Sequence, residues 1–217
     1  MQLIFEQIRT GGDRNFAYLL ADRDAKQGVV IDPSYLPEAV VERAVEQDIR
    51  IAYVINTHSH PDHVNGNDKA VELTGGPVAA YHASPVAPQV GLSNGQELEV
   101  GALRLVFLHT PGHADDHLVV YEQVHRLLVT GDLLFVGKVG GTESEEDARV
   151  EWNSLRRVLE AVPDDATVWP GHDYGVRPSS TIGLEKRTNP FLMCRDLAAF
   201  TQLKNDWPVF KKQHGLK

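Results

Sequence analysis

The sequence predicts an α+β fold in which two β-sheets pack face to face and helices cover their outer faces, a four-layer αββα sandwich. Short apolar segments of strand length fall into two groups along the 217 residues. Each group is accompanied by segments in which apolar residues recur at helical spacing. Hydrophobic residues make up 42% of the chain, which is enough to fill a sizeable core between the layers.

The first group of strands lies in the first 55 residues. Apolar segments predict strands around Leu3–Ile8 and Phe16–Leu20 and at Val29–Ile31. A helix is expected to open at Pro37, because proline is favoured in the first helical turn. Residues 51–55 combine β-branched and aromatic side chains, which is typical of a buried strand. This strand leads directly into a run of histidines.

The second group of strands follows a helix that ends near Leu73 and a strand that ends near Tyr81. Alternating apolar residues and a turn at Gly101 predict a hairpin, and further apolar segments predict three more strands. In chain order we expect the strands of this group at residues 98–100, 103–108, 118–122, 127–129 and 167–169. An amphipathic helix from Trp152 to Val162 precedes the last of them.

The chain is expected to divide into a catalytic domain, residues 1–175, and a helical C-terminal extension, residues 176–217. The extension holds eight Lys/Arg against three Asp/Glu, a balance of +5. Since the whole chain carries −9, residues 1–175 carry −14. An acidic body without a basic stripe argues against a nucleic acid partner. The basic extension is either a solvated helix face or a positively charged surface beside the active site that attracts anions.

Acidic and basic residues occur within the first nine residues before any apolar stretch reaches the length of a signal sequence or a membrane span, so these residues predict a first strand. We therefore expect a cytoplasmic protein without a membrane partner. The single cysteine, Cys194, excludes an internal disulfide and a zinc cluster built from thiolates. Any metal must use histidine and carboxylate ligands. The oligomeric state is left open.

Metal-binding side chains are concentrated in the run from Thr57 to His63. In an extended loop, His58 and His60 project to the same side and can hold one divalent ion at about 2.0 to 2.1 Å. Asp62 and His63 lie at the far end of the run and can reach a second ion. Without metal, so many clustered polar groups would be left without partners.

Three more candidate ligands, His113, Asp132 and His172, each follow a predicted strand. Residues at strand ends project from one rim of a sheet, so all seven candidates are expected to converge there. Seven donors are too many for one tetrahedral ion, which predicts two ions. Asp32 is expected to orient a ligand or to form a turn. We expect surface or hydrogen-bonded core positions for the other histidines: His82, His109, His117, His125 and His214.

The histidine run, together with Pro111-Gly112-His113, Gly131-Asp132 and Gly171-His172, resembles the metallo-β-lactamase superfamily over about residues 1–175. Within it, the stretches after Gly131 and Gly171 are similar to the glyoxalase II group, the hydroxyacylglutathione hydrolases. The resemblance implies a first metal held by His58, His60 and His113, a second held by Asp62, His63 and His172, and a bridging Asp132. Zinc is the expected metal, with iron or manganese as alternatives.

The expected reaction is hydrolysis of a thioester of the hydroxyacylglutathione type by a hydroxide that bridges the two metals. Asp62 would orient this hydroxide, and Asp132 would hold the ions. A thiolate leaves readily because a thiol pKa is about 8.5, whereas an amide nitrogen needs a general acid. Tyr174 matches a glutathione-contacting tyrosine of the family, although it could also be a packing aromatic. Gly141 stands where the family carries a lysine, and Lys138 is a candidate replacement.

The main alternative is a persulfide dioxygenase of the same fold, in which His58, His113 and Asp132 would hold one iron(II) ion. Those enzymes typically carry arginine at the position of Gly141. A metal-binding module without catalysis is a third class. It is disfavoured because all seven donors are present.

Overall fold

The computed structural model describes residues 1–213 and consists of two six-stranded sheets, one two-stranded sheet and six helices. His214 lies outside the described residues. The sheets face each other and helices cover their outer faces, so the α+β fold and the αββα sandwich expected from the sequence are confirmed. Among the described residues, no helix is long and apolar enough to cross a membrane.

The first sheet contains the strands of residues 3–92. Its strands are β1 (Leu3–Gly11), β2 (Asn15–Asp22), β3 (Gln27–Ile31), β4 (Arg50–Ile55), β5 (Val78–Tyr81) and β6 (Val90–Leu92). They lie side by side in chain order. The first three strands pair antiparallel and the last four pair parallel. Helices α1 (Pro37–Glu46), α2 (Pro61–Val64) and α3 (Asn67–Thr74) provide the crossovers.

The second sheet has the strand order β14-β13-β10-β9-β8-β7. Its strands are β7 (Glu97–Val100), β8 (Leu103–His109), β9 (Leu118–Glu122), β10 (Leu127–Gly131), β13 (Thr167–Pro170) and β14 (Ser180–Thr181). Strands β11 (Leu134–Phe135) and β12 (Lys138–Val139) form the separate small sheet. Helices α4 (Glu145–Ala161), α5 (Ile182–Thr188) and α6 (Leu197–Gln213) belong to this half. The expected domain boundary at residue 175 falls between β13 and β14, which pair with each other.

Strand β2 shows how the layers are built. Tyr18 and Leu20 point into the core between the two sheets, whereas Ala17 and Leu19 point into a second core under α1 and α3. Because successive residues of a strand face opposite sides, a strand between two cores is apolar throughout. A third core joins the outer face of the second sheet to α4, α5 and α6, with Phe200 of α6 fully buried in it.

Several short strands were not expected from the sequence: β6, β11, β12 and β14. They have two or three residues each, too few to establish a period of apolar residues. Helix α4 begins seven residues before the expected Trp152. Ser144 caps it by accepting a hydrogen bond from the Asp147 amide, and acidic residues fill its first turn.

The two sheets are joined at one rim by backbone hydrogen bonds. The Phe16 amide of β2 donates to the Gly171 carbonyl at 2.8 Å, and the Gly171 amide donates to the Gly131 carbonyl at 2.8 Å. Asn15 and His172 form an isolated antiparallel bridge next to these contacts. The candidate metal ligands lie at this seam, where strands of both sheets end.

Candidate metal centre

The seven candidate ligands come from four segments that follow strand ends. The loop after β4 carries His58 and His60 and runs into α2, which begins after His60 with Pro61 in its first turn. The other segments follow β8, β10 and β13 and carry His113, Asp132 and His172. The structure brings all seven side chains to the seam.

The side chains form three triplets of potential ligands: two that share no residue, and a third, His58, His63 and Asp132, that overlaps both. His58, His60 and His113 have one donor atom each within 4.8 Å of the others, and we name their site the first position. Asp62, His63 and His172 also have one donor atom each within 4.8 Å of the others, and we name their site the second position. The two positions match the two ligand sets implied by the family resemblance.

Asp132 lies between the two positions. Its Oδ2 atom is 3.6 Å from Nε2 of His113 and 3.2 Å from Nε2 of His172. Its Oδ1 atom is 3.4 Å from Nε2 of His63, is buried and has no hydrogen-bond partner in residues 1–213. A β-carbon at Gly171 would lie 2.4 Å from this oxygen, so only glycine allows the carboxylate to sit here. An unpartnered buried carboxylate oxygen fits an ion bound beside it.

The geometry of the first position fits a metal ion better than hydrogen bonds. Nδ1 of His60 is 3.0 Å from Nε2 of His58 and also 3.0 Å from Nε2 of His113. One ring nitrogen can donate a single proton, so it cannot satisfy both neighbours. Ligands about 2.0 to 2.1 Å from a tetrahedral ion are separated by about 3.3 Å, close to these distances.

The second nitrogens of the imidazoles are bonded to the protein. Nδ1 of His113 donates to the Gly141 carbonyl at 2.8 Å, and Nδ1 of His172 donates to the Asp13 carbonyl at 2.9 Å. With its proton on Nδ1, each ring has a free electron pair on Nε2. Such bonds fix the tautomer and orientation that a ligand histidine needs.

Asp32 organises both positions through buried hydrogen bonds. Its Oδ2 atom accepts from Nδ1 of His63 at 3.0 Å and from the Thr57 hydroxyl at 2.6 Å. Since that hydroxyl donates to Asp32, it accepts from Nδ1 of His58, 3.0 Å away. The Thr57 amide donates to Oδ1 at 2.8 Å. One carboxylate therefore orients one histidine of each position, in line with the orienting role expected for Asp32.

The protonation states suit metal binding. Burial lowers the pKa of His58 well below its ordinary value and also lowers that of His113, so both imidazoles are neutral at pH 7. Burial alone would raise the pKa of Asp132, but the neighbouring His63 and His172 hold it well below its ordinary value. The first position thus offers neutral imidazoles of His58 and His113 beside an ionised carboxylate, the forms that bind divalent ions. Burial opposes it, but Asp132 raises the pKa of His63 and His172, so an ion at the second position competes with protons.

Two residues beside the ligands had no role in the sequence analysis. Asn15 donates from Nδ2 to the Asp62 carbonyl at 2.9 Å and to its Oδ2 atom at 3.1 Å. His117 is a hydrogen-bonded core residue, as expected, and its Nε2 atom accepts from the Asp132 amide at 3.1 Å. Both contacts join segments far apart in the chain, so local sequence gives no signal for them.

Tyr174 and Lys138, the tentative substrate contacts, lie beside the second position. The Tyr174 ring stacks on His172 with centroids 4.6 Å apart, and its hydroxyl donates to Oδ2 of Asp13 at 2.6 Å. Nζ of Lys138 lies 3.8 Å from the Tyr174 ring centroid, and Arg14 lies over the same ring at 4.8 Å. These three side chains line a cavity of about 480 Å³.

Burial lowers the pKa of Lys138 to about 8, and the charge of Lys211 on α6 acts in the same direction. The positive charges of Lys138 and Arg14 near the Tyr174 ring make this cavity attractive to an anion. Of the other histidines, His82 and His125 are exposed, and His109 stacks on Tyr81 at 4.0 Å outside the two positions.

The chain is similar to known proteins in both sequence and structure. The family model of the metallo-β-lactamase superfamily matches residues 10–172. A hydroxyacylglutathione hydrolase of Polaromonas sp. is 33% identical over 178 residues, covering 79% of this chain and 67% of that protein. The human mitochondrial persulfide dioxygenase ETHE1 is 29% identical over 181 residues, covering 82% and 71%. The crystal structure of ETHE1 from Myxococcus xanthus has a TM-score of 0.87 and 31% identity, covering 94% of this chain and 91% of that one.

Proposed function

The chain belongs to the metallo-β-lactamase superfamily, and we propose that it is a metal-dependent hydrolase that cleaves thioesters of the hydroxyacylglutathione type. The observation that carries this proposal is the presence of two complete donor triplets with the Asp132 carboxylate between them. The similarity to hydroxyacylglutathione hydrolases supports it.

We assign His58, His60 and His113 as ligands of the first ion, Asp62, His63 and His172 as ligands of the second, and Asp132 as the bridge. Zinc suits the imidazole-rich first position, with iron or manganese as alternatives. Two divalent ions held there would supply hydroxide near neutral pH and would polarise the carbonyl of a substrate.

Asp62 is the residue best placed to orient the attacking water. Its Oδ2 atom is 3.4 Å from Nε2 of His172 and accepts a hydrogen bond from Asn15 at 3.1 Å. The side chain is about one-third exposed, in contrast to the buried His63 next to it. Asn15 thus fixes the carboxylate while leaving it open to water and substrate.

The cavity beside Tyr174 is the proposed binding site for the thiol carrier. Lys138 and Arg14 would attract a carboxylate of glutathione, and Lys211 would add to this attraction from α6. Lys138 replaces the family lysine that is absent at Gly141. The extension of residues 176–217 then contributes to substrate binding, while residues 1–175 hold all the metal ligands.

Persulfide dioxygenation is the second candidate function, because the similarity to ETHE1 extends over 94% of the chain. In that case His58, His113 and Asp132 would hold a single iron(II) ion and leave open coordination positions for oxygen. Such chemistry does not require ligands at the second position.

Two assays on one preparation test the proposal. Cleavage of lactoylglutathione is followed without oxygen by a thiol reagent, and oxygen uptake with glutathione persulfide is followed on iron-loaded protein. We expect thioester cleavage by protein that holds two ions per chain. Rapid oxygen uptake without thioester cleavage would replace the hydrolase with the dioxygenase.

A further inference from the structure

A buried ion pair joins the C-terminal helix α6 to helix α4, next to the metal centre. Glu151 of α4 is fully buried, and Nζ of Lys204 on α6 contacts its Oε2 atom. Burial raises the pKa of Glu151 above its ordinary value, although the charge and the hydrogen bond of Lys204 oppose this shift. Buried ion pairs are seldom more stabilising than apolar side chains of similar size. The pair therefore has no evident advantage for stability alone.

The same lysine supports the loop that orients His113. Nζ of Lys204 donates to the Gly140 carbonyl at 2.8 Å. The next carbonyl, that of Gly141, accepts from Nδ1 of His113 at 2.8 Å. A chain of contacts thus runs from α6 through two consecutive peptide units to the ring of His113.

Glu151 supports His113 from the other side. Gly112, which precedes His113, has a φ of +136°, and a β-carbon there would lie 2.4 Å from Cβ of Glu151 and 2.5 Å from its backbone nitrogen. The loop before His113 therefore packs directly on the backbone of α4 at Glu151. The Glu151 carboxylate also lies against the other loop, since a β-carbon at Gly140 would be 2.9 Å from its Oε1 atom.

We propose that Lys204 and Glu151 are positioning residues of the first metal position, because their side chains fix the loop at Gly140 and Gly141 that orients His113. This inference rests on the ligand role of His113 in the proposed function. Lys204 lies in the C-terminal extension, so α6 would control metal affinity as well as carrier binding. Loss of a group that orients a ligand histidine typically weakens metal binding by about 10- to 100-fold.

The test compares zinc affinities by chelator competition in full-length variants. In Glu151→Met/Lys204→Met, two unbranched apolar side chains replace the pair, and no donor is left for Gly140. We expect the first position to bind zinc at least about tenfold more weakly and the second position to keep its affinity. Glu151→Gln keeps the lysine donor and should retain most of the affinity. Lys186→Met, which removes a surface lysine paired with Asp164 at 2.6 Å, is the matched control.

A second measurement, by NMR, follows the Nδ1 proton of His113 directly. In wild-type protein its Nδ1 proton should give a slowly exchanging NMR signal, and the double variant should lose that protection. If the double variant does not fold by circular dichroism, Lys204→Met serves in its place, because Glu151 can then take up a proton. Wild-type zinc affinity together with a protected His113 proton would overturn the inference.

The outcome is independent of the substrate. A wild-type protein that cleaves thioesters, with variants of unchanged zinc affinity, would refute the positioning role and leave the proposed function intact. If the wild-type protein has no thioesterase activity but the variants bind zinc more weakly, the positioning role is supported and the proposed function is refuted.

Discussion

Asp32 provides the sharpest prediction, because one buried carboxylate orients a histidine of each metal position. In Asp32→Asn the charged acceptor for Nδ1 of His63 and for the Thr57 hydroxyl becomes a neutral amide. Loss of a group that orients a ligand histidine typically lowers metal affinity about 10- to 100-fold. Since a factor of ten is about 1.4 kcal/mol, we expect a loss of about 1.4 to 2.8 kcal/mol of zinc-binding free energy at each position.

A companion variant separates the two branches of this network. Thr57→Val removes the hydroxyl between Asp32 and His58 but leaves the bond from His63 to Asp32 in place. It should weaken the first position only. Zinc titrations against a competing chelator, with Asp164→Asn as a surface control, measure both constants. Unchanged constants in Asp32→Asn, or a loss at the second position in Thr57→Val, would refute the reasoning.

Four variants test the remaining assignments. His172→Ala should bind one zinc per chain by metal analysis, since the first position keeps all its ligands; loss of both ions from folded protein would contradict the two-site assignment. Asp132→Asn should lose metal and activity together, because a neutral amide bridges two cations poorly, and full occupancy would refute the bridge. Lys138 is charged below its pKa of about 8, so KM for an anionic thioester should rise above pH 8, and Lys138→Met should raise KM at pH 7 and flatten this profile. Lys211→Glu with Lys212→Glu should raise KM and reduce its salt dependence with little change in kcat; an unchanged KM at low ionic strength would leave only a solvated helix face.

Much of the architecture could be predicted because its determinants are local. The apolar segments of β2 and β4 and the helical spacing of α4 are visible in a single stretch of sequence. The candidate ligands could be found because each follows a strand, and strand ends meet at a rim. Their convergence follows from that rule, while metal binding by these residues stays a prediction.

The supporting residues could not be found in this way. Asn15 reaches Asp62 across 47 positions, and Lys204 reaches Gly140 across 64. Neither residue type is a characteristic metal ligand, and neither lies in a motif. Such contacts depend on which segments the tertiary fold brings together, so they emerge only from the structure.

Hydrolysis and dioxygenation would both use the first position. The choice between these two hypotheses therefore depends on the second position. Nε2 of His63 and Nε2 of His172 face each other at 3.2 Å, and each ring has its Nδ1 atom bonded elsewhere in the protein. With both Nδ1 protons in place, the two Nε2 atoms can form a hydrogen bond only if one ring carries a second proton and therefore a positive charge. An ion between them would replace that proton and would use the adjacent Asp62 carboxylate as well. A reaction at one iron ion does not need this second ion, so two ions per chain in metal analysis would support the proposed hydrolysis.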